Sequence, residues 1–174
     1  MRALLAVAIA LLLSACGFQL RGSYPLPFNT LHLANIADAS ELHALIKRTV
    51  EAGSGTRIVG SAKEAQAVLT LMLDQPQKNI LSLDATGRVR EFQLVRTFQF
   101  RVNDPAGATL IPPSQIIVRR DISFSDAQVL SKEAEEALLW RDIQEDLVQQ
   151  LLRRLAAAKP AATPSAAPAT EKAR

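Results

Sequence analysis

The chain has 174 residues, enough for one domain with a respectable core, and its 20 Lys and Arg against 17 Asp and Glu leave a net charge of +3. The basic residues are scattered rather than blocked together, so nucleic acid is not an expected partner. One cysteine, Cys16, allows no internal disulfide, and histidines only at His32 and His43 give no cluster for a zinc site.

Arg2 precedes an uninterrupted apolar run, Ala3 to Leu13. That run is shorter than the roughly 20 apolar residues a spanning helix needs, and it suits the core of a secretory signal. Leu13-Ser14-Ala15-Cys16 then resembles a bacterial lipobox, with the lone cysteine at the residue after the cut. Residues 1–15 are therefore expected to be a lipoprotein signal peptide. The resemblance implies that Cys16 carries diacylglycerol and an acyl chain, and Gly17 behind it fits export to the outer membrane. Several chains hold stably where one holds weakly, because each buried methylene contributes about 0.8 kcal/mol. Residues 16–27 read as lipid anchor and tether, with Pro25 and Pro27 favouring an extended path.

The folded domain is expected over 28–158. "NTLHLAN" predicts a short strand, and Ser40 caps a helix with Leu42, Leu45, Ile46 and Val50 on one face, ending at Gly53. "TRIVG" predicts a further short strand and "AVLTLMLDQ", from Ala67, a buried one. Two strands at period two follow: Phe92, Leu94, Phe98, Phe100 and Val102 share one face of the first, and Ile116, Val118, Ile122 and Phe124 one face of the second. The segment "NDPAGATLIPPSQ" between them returns the chain antiparallel. A long helix closes the domain, with Leu139, Ile143, Leu147, Leu151 and Leu155 at i+4. The Ala/Pro-rich stretch 159–174 is expected to be disordered. The order β-α-β-β-β-β-α predicts an α+β two-layer sandwich, a mainly antiparallel sheet of four to five strands with two helices.

No catalytic signature emerges. "GSGTRIVG" lacks the Lys-Ser/Thr of a phosphate loop, and no serine sits in a nucleophile elbow. One feature breaks the apolar rows: Arg96 and Arg120 interrupt the faces of the two patterned strands, and a turn centred near Ala108 would make them cross-strand neighbours. Like charges so placed repel. Either an anionic group lies between them (Glu91, Asp121, another acid or a bound phosphate) or each snorkels its head into water. Arg88 and Arg90, beside Gly87 in a hairpin turn, and Lys132, before the last helix, are accessible cations able to meet lipid phosphates.

"CGFQLRG" from Cys16 to Gly22, "REFQLV" at 90–95 and "SKEAEEALLWRDIQEDLVQQLLRRL" at 131–155 together resemble the lipopolysaccharide-assembly lipoprotein family LptE. The likeness extends over most of 16–158. It implies a sandwich of two helices on a mainly antiparallel sheet, and a non-enzymatic role. Members plug the lumen of the outer-membrane barrel LptD, help it assemble, and bind lipopolysaccharide during insertion into the outer leaflet. Lys132 matches a family position implicated in lipid A binding; Ala85 and Thr86 fall where relatives carry a base, with Arg88 nearby. The expected partners are thus LptD, lipopolysaccharide and the outer membrane, with the domain in the barrel lumen facing the periplasm. A lipid-anchored scaffold for another envelope machine, with no ligand of its own, is the alternative.

Overall fold

A computed structural model describes residues 25–124 and 129–158. Cys16, the signal segment and the 159–174 tail lie outside them.

The elements, in chain order, are β1 (Thr30–Ala34), α1 (Glu41–Ser54), β2 (Arg57–Ile58), β3 (Ala67–Leu83), β4 (Val89–Asn103), β5 (Thr109–Ser123) and α2 (Val129–Ala156). They form one five-stranded sheet in the order β2-β1-β3-β4-β5. The sheet is mixed: β1 runs parallel to both β2 and β3, joined through the α1 crossover, while β3, β4 and β5 form a long antiparallel meander. The α+β sandwich with two helices is as the sequence predicts.

Ser40 accepts a hydrogen bond from the His43 amide at 3.1 Å and starts α1. The helix stops one turn-residue later than Gly53, because Gly55 takes the left-handed conformation (φ 72°) that ends it. Gly53 instead lies within the helix, facing Leu152 of α2, where a Cβ would make an ordinary contact at 3.5 Å. The core forms where Leu42, Ile46 and Val50 of α1 and Ile143, Leu147, Leu151 and Leu155 of α2 meet the even-numbered side chains Leu94, Phe98, Phe100 and Val102 of β4. Phe98 and Phe100 are fully buried, their ring centroids 5.9 Å apart. Leu26, ahead of residue 28, also packs against this core.

Two departures matter for function. First, β3 does not end near Gln75; it continues to Leu83, paired with β4 throughout. β1 covers only Ala67–Thr70 of it, and Asn35 reaches Leu71, so beyond this point its other edge has no strand neighbour. Pro76 is tolerated there because a free edge needs no N–H from it. Second, the β4–β5 turn is closed by Asp104–Gly107, with Gly107 at φ 92°, and register shifts follow between Phe100 and Asn103. Arg96 consequently pairs with Val118 and Arg120 with Leu94, two residues out of the register that would set the arginines opposite each other.

The molecule has two poles. Phe28, the start of β1, the start of β3 and the end of β4 lie at one; α2 returns towards it from the end of β5. The β3–β4 hairpin turn, the end of β5 and the start of α2 lie at the other. At about 3.3 Å per residue, the 15 residues of β4 separate the poles by about 50 Å.

Candidate functional site

The far pole gathers three of the predicted cations from three elements. Its hairpin turn is organised by Asp84, whose carboxylate accepts from the Thr86 hydroxyl (2.6 Å), the Thr86 amide (2.8 Å), the Arg88 amide (3.0 Å) and Arg88 Nε (3.2 Å). The Thr86 hydroxyl, the Arg88 and Thr86 amides and the Arg88 charge hold this carboxyl well below the usual carboxylate range. Gly87, at φ 81°, completes the turn. Arg88 is thereby tethered by Nε while its guanidinium stays largely in solvent. Arg90, next along β4, is exposed, and among the described residues no partner holds its side chain; its carbonyl accepts from the Phe124 amide at 2.8 Å, which brings the end of β5 alongside. Lys132 lies within α2 rather than before it, and its side chain is mostly covered rather than freely accessible, because Nζ donates to Ser123 Oγ (3.1 Å) and Glu135 (2.7 Å), clamping the first turn of α2 to that same strand end.

Sequence reasoning missed Lys78, which joins this pole because β3 is longer than its apolar run. Its Nζ lies 2.6 Å from Glu136 and 4.3 Å from the Phe92 ring centroid, and Phe92 stacks edge-on against Phe124. The "DATG" turn signal following "KNILSL" was the available clue to a hairpin arm reaching this far.

Arg96 and Arg120 do not join the pole's cations. Arg96 forms a fork–fork pair with Asp74 of β3 (2.8 and 2.7 Å) and donates to Gln144 of α2 at 2.8 Å. Arg120 meets Asp146 of α2 at 3.2 Å, on the other side of β4. Acids from elsewhere in the fold therefore satisfy each arginine separately. Their role is to tie α2 to the sheet, and no phosphate is needed to hold them. Between α2 and the free edge of β3 runs a groove of about 690 Å³ lined by Pro76, Lys78, Trp140, Arg141 and Gln144.

The model of the family LptE, described as lipopolysaccharide-assembly, matches residues 28–155, nearly the whole described domain. The chain belongs to the LptE family. It is 29% identical over 146 residues to the LPS-assembly lipoprotein LptE of Pectobacterium atrosepticum, spanning 81% of this chain and 77% of that protein. The solution structure of lipoprotein B from Nitrosomonas europaea superposes with a TM-score of 0.70 at 36% identity, covering 81% of this chain and 91% of the other. The crystal structure of rare lipoprotein B from Shewanella oneidensis gives 0.64 at 28%, covering 74% and 95%. A minor lipoprotein from Acinetobacter baumannii, 24% identical with a TM-score of 0.62 over 76% and 94%, shares the fold. LptE membership accounts for the element order and for the closing helix, and makes this a lipopolysaccharide-assembly lipoprotein.

Proposed function

We propose that this LptE-family lipoprotein is anchored in the outer membrane through lipid on Cys16, complexes with the LptD β-barrel as plug and assembly factor, and binds lipopolysaccharide without catalysis. The observation that carries this reading is the polar layout. The chain leaves its tether at one pole and presents Arg88, Arg90 and Lys132 at the other, about 50 Å away by strand rise. A bilayer's hydrocarbon core is about 30 Å thick. A domain held at the periplasmic face and lodged in a barrel lumen is thus long enough to carry its cationic pole across the thickness of the membrane, where phosphates of an outer-leaflet glycolipid lie. Eight residues lie between Cys16 and Pro25, nine Cα steps that span at most about 30 Å, which keeps the near pole close to the anchor.

Arg88 and Arg90 are the proposed phosphate contacts, with Lys132 joining them by exchanging its Glu135 carboxylate for a phosphate; Arg96 and Arg120 are likewise engaged, by Asp74 and Asp146, and would contribute only if lipid displaced those acids. The test is mild detergent extraction of a C-terminally tagged copy from its native membrane, with mass spectrometry of what co-purifies. A large β-barrel identified as LptD in near-equal amount is the expected result. Recovery of the lipoprotein alone, or with a different machine, would refute the plug role.

A further inference from the structure

Beyond the cations, the far pole carries apolar side chains that the core does not use. Ile80, Leu81 and Leu83, within four residues at the end of β3, are 60, 47 and 56% exposed. Three large apolar side chains left to solvent at one strand end are surface that a contact can bury. We propose that they form an acyl-chain subsite for the lipopolysaccharide molecule whose phosphates meet the adjacent arginines, an inference that rests on the lipopolysaccharide-binding reading above.

Three observations select a lipid of this kind over other occupants. The first is charge: Arg88 and Arg90 follow the apolar residues directly across the turn, and Ile80 pairs with Phe92 while Leu83 pairs with Val89, so cation and apolar surface share one ribbon end. The acids of that ribbon are satisfied internally, Asp84 by Thr86 and Arg88, and Glu91 by the Ser82 hydroxyl at 2.7 Å. Exposed cations beside exposed apolar groups complement an anionic amphiphile. The second is the edge itself. A polypeptide strand adding to β3 would meet Pro76, which has no N–H to give, the charge of Lys78, and register shifts between Ile80 and Leu83. These are the features by which sheets refuse a neighbouring strand. The third is distance: these residues sit at the pole remote from the tether, so they are not the anchor's own contact with its leaflet.

The test uses the full lipidated chain in phosphatidylcholine vesicles, with a photo-crosslinking amino acid placed singly at Leu81, Leu83, Arg90 or, as a control on the exposed side of α2, Leu138. The probes are purified lipopolysaccharide and the same material stripped of its acyl chains. The expected result is labelling at Leu81 and Leu83 by intact lipopolysaccharide several-fold above Leu138, with little labelling by the stripped saccharide, while Arg90 captures both. Equal labelling by the two probes at Leu81 and Leu83, labelling no higher than at Leu138, or capture of vesicle phospholipid in place of lipopolysaccharide would overturn the subsite if Arg90 still labels. If Arg90 captures neither probe, the lipopolysaccharide-binding reading itself fails, and the subsite with it.

Discussion

Removing the Asp74 carboxylate by Asp74→Ala should expose how much of the fold hangs on Arg96. The side chains of Arg96 and Asp74 are 13 and 21% exposed, and the pair is bidentate. Breaking a fully buried pair costs about 3–5 kcal/mol, and an exposed pair is worth about 0–1 kcal/mol. With some water reaching both groups and Gln144 still accepting from the guanidinium, the expected loss is about 2–3 kcal/mol, most of it the penalty of a stranded charge. Replacing both residues together, Asp74→Leu with Arg96→Met, removes that penalty and should fall within about 1 kcal/mol of the parent. Urea unfolding followed by fluorescence of Trp140, the only tryptophan, reads both variants. For a domain of this size the single substitution lowers Tm by about 8–12 °C. A single-variant loss under about 0.5 kcal/mol, or a double variant worse than the single, would refute the view that Asp74 satisfies a buried cation.

Lys132→Glu should weaken lipopolysaccharide in a competition assay while leaving the circular dichroism spectrum unchanged; unchanged binding would remove Lys132 from the contact set. Cys16→Ala should abolish flotation with lipid vesicles, and a variant that still floats would count against lipidation at this residue. Because the Asp84 carboxyl is held below its unfolded value of about 3.9, its contribution to the turn is present above that pH and is lost only as pH falls through the lower folded value. Its carboxylate carbon, followed by NMR, should therefore show no titration midpoint near pH 4, and a midpoint there would mean the turn does not hold in solution. Ser40→Ala should destabilise the domain by about 1 kcal/mol in the same urea assay through loss of the α1 cap, with a neutral result implying that water replaces it.

Strands β4 and β5 and both helices were legible because one face of each is mainly apolar: Leu94, Phe98 and Phe100 on β4, interrupted only by Arg96, or Leu147, Leu151 and Leu155 on α2, announce period two and period 3.6 directly. The outer half of β3 was not, since "QPQKNILSL" alternates on neither face and contains a proline. It is a strand because β4 beside it offers a full ladder, so tertiary pairing overrides local preference. The offset between Arg96 and Arg120 was hidden for a different reason. Register depends on where a hairpin turn closes and on irregularities in the ladder, and neither leaves a periodic mark in composition. Site chemistry divides the same way. Arg88 and Arg90 were visible from the glycine turn beside them, whereas Lys78 needed the strand's true length, and Asp74 and Asp146 were identifiable as partners only once three elements had been brought together.

The β3–β4 hairpin arm outruns β1, and its last residues are paired to each other and to β5 but little enclosed by the helices. Such an arm can change length independently of the core. Two residues added to each strand keep every side chain on its original face and push the turn outward by about 7 Å, whereas a single added residue inverts all that follows. Paired insertions alone can thus move the cationic turn outward or inward, leaving the packing of Phe98 against the helices untouched.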